Sequence, residues 1–486
     1  MKRFWLVLLS LGLVMAFSVS AFAVDVKIGA EYFAGGLYLN KTSVNDGYSS
    51  KSQEGYYDSN PSTAFFYQRL RVGTDFIVTP CLKLVTRFDA MERIWGGSRS
   101  EDTDPYTPPE IYAYSRSAGT TAENENIAFD IVYIDYTSPI GQFKVGYMPD
   151  YVFGTVFADR GSGQYDGQIA YSIQNGPFTG LIGYAKIVDK NWSYMPSTYP
   201  ATDVDYDSYR IGGIYNFKTS QVVGEIGALF IFDRDATQKG GYTSFDYNYL
   251  ANKYVFNPYV KAKIGPVALQ AEVQYWFGDA AKWEDGDQYS LPANVSISAL
   301  SVFVDATANF GMFNVGGTFA YLSGDDPGTK DKVEGSGSMM AINTGGLDWN
   351  PCLIMFNTET LGYWVGPIYG HTNSVVNNEM SNAWFGQLRA GVKPTPQWDI
   401  MLAASYATAD KKPVNPTDPG TRTYANGTYG TEIDMTGTYK ITNNLSYMLG
   451  VGYLFTGDYF KGFDRAGQGY QIVDDYMLIN KLTLSF

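Results

Sequence analysis

The chain lacks most of what a soluble enzyme would need. Among its 486 residues there is a single histidine, His371, and only two cysteines, Cys81 and Cys352. No G-x-S-x-G motif and no histidine pair at metal-ligand spacing occurs, so neither an activated nucleophile nor a metal centre is expected, and no cofactor. Charged residues make up only 17%, and Lys plus Arg number 35 against 49 Asp plus Glu. That acidic balance excludes the basic field a nucleic-acid partner requires. Beyond Ala23 no apolar run reaches the roughly 20 residues of a membrane helix. Helical periodicity is absent as well, which removes most soluble multidomain architectures of this length.

At the N-terminus, Lys2 and Arg3 precede an apolar run from Phe4 to Phe17 and a small-residue segment ending Ala21-Phe22-Ala23. This is the build of a cleavable signal peptide over residues 1–23, with a mature chain from Val24. Its core is too short for a comfortable span, and no cysteine follows for a lipid anchor. Loss of Lys2 and Arg3 would lower the net charge from −14 to −16.

The rest, residues 24–486, reads as one all-β domain. The chain is 16% aromatic, with 40 Tyr, 29 Phe and 52 Gly, and apolar residues recur at every second position between turn signals. Tight turns are expected at Thr79-Pro80, Pro139-Ile140-Gly141, Gly176-Pro177, Ser220-Gln221, Gly265-Pro266, Phe310-Gly311, Pro394-Thr395-Pro396 and Asn443-Asn444. Proline presets φ and glycine admits positive φ at such positions. Eight hairpins plus the opening run 26–40 and the closing run 475–486 give eighteen antiparallel strands, with sixteen as the alternative even number. The segments between hairpins are long and rich in Gly, Ser, Asp, Asn and Pro. The longest, 324–380, contains the apolar stretch Cys352–Tyr369, which either forms another hairpin or folds inward. Short turns at one end and long loops at the other are the pattern of a transmembrane barrel, with the turns periplasmic and the loops extracellular.

Strand parity then divides the residues between two faces. A charge facing lipid at mid-membrane costs about 2–4 kcal/mol for Arg or Lys, so the charged rows point inward. The inward basic set is Arg69, Arg71, Lys83, Arg87, Arg93, Lys144, Arg210, Lys218, Lys253, Lys261, Lys263, Arg389 and Lys393. The inward acids, fewer by parity, are Asp75, Asp89, Glu225, Glu272, Asp305, Asp399, Glu432 and Asp434. A wall so charged is expected to meet water, since unpartnered ionised groups cannot be buried. Its basic residues either neutralise the inward carboxylates or set up a field that favours anions. Tyr259 and Trp276 also face inward by parity and are candidates for an aromatic slide for sugars. A basic lumen suits, as a further alternative, export of an anionic polysaccharide. Acidic loop clusters such as Glu284-Asp285-Gly286-Asp287 fit solvated charge or a bridge to lipopolysaccharide through divalent cations, without calcium-loop spacing.

The last strand, DYMLINKLTLSF, ends on Phe486 and resembles the closing strand of outer-membrane barrel proteins. Further segments, Gln68-Arg69-Leu70-Arg71-Val72, Tyr133-Ile134-Asp135-Tyr136, Phe143-Lys144-Val145-Gly146-Tyr147 and Phe153-Gly154, resemble general porins of Gram-negative bacteria, most of all those of sulfate-reducing and related proteobacteria. The resemblance spans the mature chain by architecture, and no Pro-Glu-Phe-Gly-Gly motif is present. It implies an outer-membrane location in lipid and lipopolysaccharide, passive diffusion of small hydrophilic solutes and ions, and a homotrimer. It also implies that the assembly machinery reads the terminal strand. In such porins the loop after strand five folds into the barrel. That position is 150–165 here, which would set Asp150, Asp159 and Arg160 across an eyelet from the arginines of strands two and three.

Cys81 lies beside a short turn and Cys352 in the longest loop. A disulfide needs Cα atoms within about 7 Å, whereas the two ends of a barrel stand on the order of 25 Å apart. The two thiols are therefore expected to be unpaired.

Overall fold

A computed structural model describes residues 24–46, 60–96, 127–150, 152–159, 165–189, 204–239, 249–283, 294–336, 349–371, 374–412, 427–461 and 471–486. The expected signal peptide, Arg160 and the 284–287 acidic run lie outside them. Eighteen long strands form the wall: β1 Asp25–Leu39, β2 Thr63–Thr79, β3 Leu82–Ile94, β4 Ile127–Ser138, β5 Gly141–Pro149, β6 Tyr165–Asn175, β7 Phe178–Val188, β8 Tyr206–Lys218 and β9 Val222–Asp235. The series continues with β10 Tyr249–Ile264, β11 Val267–Trp283, β12 Val295–Phe310, β13 Phe313–Leu322, β14 Ala383–Val392, β15 Trp398–Ala409, β16 Thr428–Lys440, β17 Leu445–Thr456 and β18 Asp475–Ser485. Each pairs antiparallel with its chain neighbours, and β1 pairs with both β2 and β18, so the ring closes. A two-residue strand, Lys332–Val333, adds in parallel to β12 outside that ring.

Closure is locked by the chain end. Phe486 donates its backbone N–H to the Ala30 carbonyl at 3.0 Å and accepts from the Ala30 N–H at 2.8 Å. A closed ring leaves no unpaired edge, the condition for a sheet to stand in hydrocarbon. All eight expected turns join consecutive strands at one end of the barrel. In the Gly265-Pro266 turn the glycine sits at φ +58°, a conformation other residues adopt only with strain.

The outward rows are apolar. Ile28, Phe129, Ile169, Ile182, Ile211, Leu388, Leu402 and Met435 are all more than half exposed, a surface no soluble monomer presents at this extent. Aromatic rings edge the band. Tyr184, Tyr209, Phe232, Tyr254 and Phe277 follow one another across β7–β11 at centroid distances of 5.0–5.9 Å on the loop side. Phe143 with Tyr171, Phe178 with Tyr215 and Trp398 with Tyr439 do the same on the turn side, at 4.7–4.8 Å. Two aromatic girdles around an apolar band are what a bilayer's two interfaces select.

Both cysteines are free, Cys81 exposed in the β2–β3 turn and Cys352 buried. A membrane-impermeant maleimide should therefore label Cys81 in the folded protein and reach Cys352 only after denaturation. Equal labelling of both in the folded state would show that the long loop does not occupy the position described next.

Candidate pore and its constriction

The inner wall is partly covered by the described parts of two loops that turn inward, L3 (residues 150 and 152–159, after β5) and L7 (residues 349–371 and 374–382, after β13). L3 is held by one carboxylate. Glu272, on β11, accepts from the backbone N–H groups of Thr155 and Val156 at 2.6 Å and Ala158 at 2.8 Å. The Thr155 hydroxyl adds a bond at 2.6 Å and the Asn257 amide one at 2.8 Å. Gly154 makes the approach possible: it sits at φ +77°, and a Cβ there would stand 2.9 Å from Glu272 Oε1. Phe153 packs edge-on against Tyr259 at 5.0 Å, within an apolar cluster that includes Leu229, Val255 and Trp276.

L7 fills more of the lumen. The N–H groups of Ile354 and Met355 donate to Glu432 at 2.7 Å, and that of Leu353 to Asp434 at 3.3 Å, both carboxylates on β16. Asn357 caps the helical turn Thr358–Gly362 by accepting from Thr360 and Leu361. Trp349 meets Phe303 on β12 at 5.2 Å, Phe385 on β14 at 6.0 Å and Phe157 of L3 at 6.4 Å, so the two loops touch inside the barrel. Trp364 packs on Tyr67 of β2 at 4.8 Å. At the loop end, L7 is tied to its neighbours through Val44 N–H to the Tyr369 carbonyl at 3.0 Å and His371 to the Gln471 carbonyl at 3.3 Å. Burial lowers the pKa of His371, so this ring is neutral at pH 7 and serves as a tie.

Several residues expected in water are therefore covered. L3 lies over β8–β12, so Lys253 and Glu272 are each 1% exposed, and Arg210, Tyr259 and Trp276 are buried too. The wall at these strands is a packed interface in which buried charged and polar groups are paired with one another. Lys253 pairs with Asp235 at 3.4 Å and Tyr259 donates to Glu225 at 3.0 Å. The Trp276 ring N–H donates to Gln274 at 2.8 Å. With Tyr259 and Trp276 beneath L3, the described residues offer no aromatic slide there. Asp150 is not an eyelet acid: it forms a buried ion pair with Arg210 at the root of L3. Asp159 bridges back to Val152 within the loop.

The face left open runs along β2–β6, and its charges are paired. Arg71 grips Asp89 with two bonds of 2.7 Å and reaches Asp130 at 3.9 Å. Arg87 pairs with Asp130 at 3.4 Å and stacks on Tyr165 at 5.0 Å, and Arg69 pairs with Glu92 at 3.4 Å. Lys83 lies between Asp75 at 3.0 Å and Asp135 at 3.7 Å. Elsewhere Lys261 pairs with Glu225 at 3.7 Å, Arg389 with Asp305 at 2.5 Å and Lys393 with Asp399 at 2.8 Å. The side chains of Arg69, Arg71 and Arg87 keep 18–23% exposure, unlike the 1% of Lys253. A cavity of about 320 Å³ lies next to L3, lined by Gln142, Lys144, Gln168 and Arg210 together with the apolar Met148, Phe153, Leu181 and Leu229.

Two expectations are corrected here. Arg93 leaves the inner row: an extra residue at Met91 (φ +52°) shifts the register so that Arg93 stands opposite outward-facing Gln68 and Glu92 turns inward. Inward acids are also not few. Register and ion pairing add Glu92, Asp130, Asp135, Asp166, Asp233 and Asp475 to those found by parity. L7 brings a further group together: one ligand atom each from Cys352, Glu432 and Asp434 lies within 4.8 Å of the others.

No protein-family model matches the sequence, and no curated protein matches it either. Solved structures do match in shape. OccK9 (OpdG) of Pseudomonas aeruginosa aligns with a TM-score of 0.50 at 12% identity, over 95% of this chain and 99% of that one. The outer membrane protein OpdK of the same organism aligns at 0.46 with 13% identity, and a BenF-like porin of Pseudomonas fluorescens Pf-5 at 0.45 with 11%, each over 95% of this chain and 99% of theirs. The chain thus has a porin-like fold, an eighteen-strand antiparallel barrel closed on itself.

Proposed function

We propose that this protein is an outer-membrane channel for passive diffusion of small hydrophilic solutes, with its water path confined to the β2–β6 face. The observation that carries this reading is the contrast between the two halves of the inner wall. Beneath L3 and most of L7 the wall is dry and interlocked, whereas along β2–β6 the side chains of Arg69, Arg71, Arg87 and Lys83 keep 18–35% exposure over buried Glu92, Asp89 and Asp135. The apolar outer band and its girdles place the barrel in a bilayer, and closed barrels of this kind serve outer membranes.

The charge balance bears on selectivity. An anion preference expected from an excess of inward cations loses its premise, because each arginine of the open face stands beside a carboxylate. Paired charges of both signs produce a field that largely cancels within a Debye length, about 8–10 Å at ordinary salt. Reconstituted into planar bilayers, the protein should give discrete conductance steps, with a reversal potential near zero in a salt gradient. Proteoliposomes should swell in small sugars and not in large ones. Lipid-inserted protein that neither conducts nor passes any solute would refute the channel reading.

A further inference from the structure

We propose that Cys352, Glu432 and Asp434 form a zinc site that pins L7 to the barrel wall. Glu432 and Asp434 lie two residues apart on β16, so both point into the lumen side by side. L7 lowers Cys352 onto them, and the thiol sulfur and one oxygen of each carboxylate lie within 4.8 Å of one another. All three residues are buried, and Glu432 is fully so. Among the described residues no lysine, arginine or histidine pairs with either carboxylate, whereas buried Asp150 pairs with Arg210.

Two adjacent carboxylates cannot both stay ionised in a dry site without a counter-charge. The backbone N–H groups of Leu353, Ile354 and Met355 neutralise part of the charge but bring no cation. They occupy Asp434 Oδ2 and both oxygens of Glu432, and leave Asp434 Oδ1 buried with no hydrogen-bond partner, on a residue 5% exposed. That oxygen lies close to Gly452, the cross-strand neighbour, where a Cβ would stand 2.8 Å from Oδ1 and 3.5 Å from Glu432 Oε1. An orphaned carboxylate oxygen, a second carboxylate and a thiol converging on one point form a donor set for a divalent cation. The sulfur decides which. A thiolate suits zinc, whereas calcium and magnesium take oxygen ligands only. Binding would release the thiol proton and the proton held by the carboxyl pair, and leave a net charge of one minus on three ligands and Zn²⁺, with a fourth position open.

The test uses the full mature chain refolded into detergent with excess Zn²⁺ and then passed over chelating resin. One zinc per chain is expected, with an X-ray absorption spectrum showing a sulfur scatterer at about 2.3 Å beside oxygens at about 2.0–2.2 Å. Co²⁺ in place of zinc should give near-ultraviolet thiolate-to-cobalt charge-transfer absorption. Cys352→Ser should abolish that band, Asp434→Asn should weaken cobalt retention by at least tenfold, and Cys81→Ser should leave both unchanged. Heat-modified electrophoretic mobility identifies folded protein for each variant. Substoichiometric zinc in the wild type, an absorption shell without sulfur, or a cobalt band that survives Cys352→Ser would each overturn the assignment. Because the wild-type spectrum needs no variant, a misfolded mutant does not rescue it.

Discussion

Glu272→Ala should free L3 and raise single-channel conductance, the largest effect of any single substitution in the lumen. The carboxylate accepts five hydrogen bonds, four of them from the loop itself. Bonds to a charged acceptor contribute about 1.5–3 kcal/mol each. Once the loop swings out, water satisfies its N–H groups, so only part of that sum is lost from the folded-in state. Even about 3 kcal/mol lowers the folded-in to released ratio by about 100-fold. The packing of Phe153 and Phe157 remains, so the loop should be mobile rather than lost, and the current should show bursts between two levels. Protease added from the loop side should cut within 153–159 in this variant and not in the wild type. Glu272→Gln, which keeps the shape but offers one acceptor oxygen, should fall between. Gly154→Val should reproduce Glu272→Ala, because its Cβ would meet the same carboxylate at 2.9 Å. Wild-type conductance together with protease resistance in Glu272→Ala would mean that apolar contacts alone hold the loop.

Much of this architecture is legible in the sequence because a barrel wall is governed by local rules. Turn chemistry at eight places fixed the pairing, and a side-chain period of two sorted residues such as Lys261 and Val260 onto opposite faces. Where the period slips, parity misleads. One extra residue at Met91 moved Arg93 outward and Glu92 inward, and another slip in β4, between Phe129 and Ile131, left Asp130 free to reach two arginines. No composition signal marks such bulges. The lumen was harder still, because it is built by segments far apart in the chain. Glu272 reads by parity as one more wet wall charge, and its partners in L3 are more than 100 residues away. Cys352 and Glu432 are likewise separated by 80 positions and meet only through L7. A signal did exist. Cys352–Tyr369 is too apolar for a solvated loop, and Phe153-Gly154 puts a large ring beside the one residue that admits a close carboxylate. Those features suggested that something packs inward, though not which wall receives it.

Neutralising one sign on the open face should unmask the other. In the wild type, Arg69, Arg71 and Arg87 stand against Glu92, Asp89 and Asp130, three charges against three. Changing all three arginines to Gln leaves three carboxylates beside the water path. Changing Glu92 to Gln and both aspartates to Asn leaves three guanidinium groups there. The two triple variants should therefore move the reversal potential in opposite directions, the first toward cations and the second toward anions. A unit charge 4 Å from a passing ion is worth about 4 kcal/mol at an effective dielectric constant of 20 and about 1 kcal/mol in bulk water. A partly solvated path lies between these limits, so a change of about tenfold or more in the cation-to-anion permeability ratio is expected in each direction. The Debye length grows from about 3 Å at 1 M salt to about 30 Å at 0.01 M, so the split between the variants should widen as salt is lowered. The three arginines and Asp130 are partly exposed whereas Asp89 and Glu92 are buried, so the arginine triple should lose more stability than the carboxylate triple, and heat-modifiable mobility identifies the folded barrel of each variant. The covered wall supplies the control. Lys253→Met removes a charge that is 1% exposed, so selectivity should stay at the wild-type value even if the barrel loses stability. If the arginine and carboxylate triples shifted selectivity the same way, or if the Lys253 control moved it as much, the water path would not run along β2–β6.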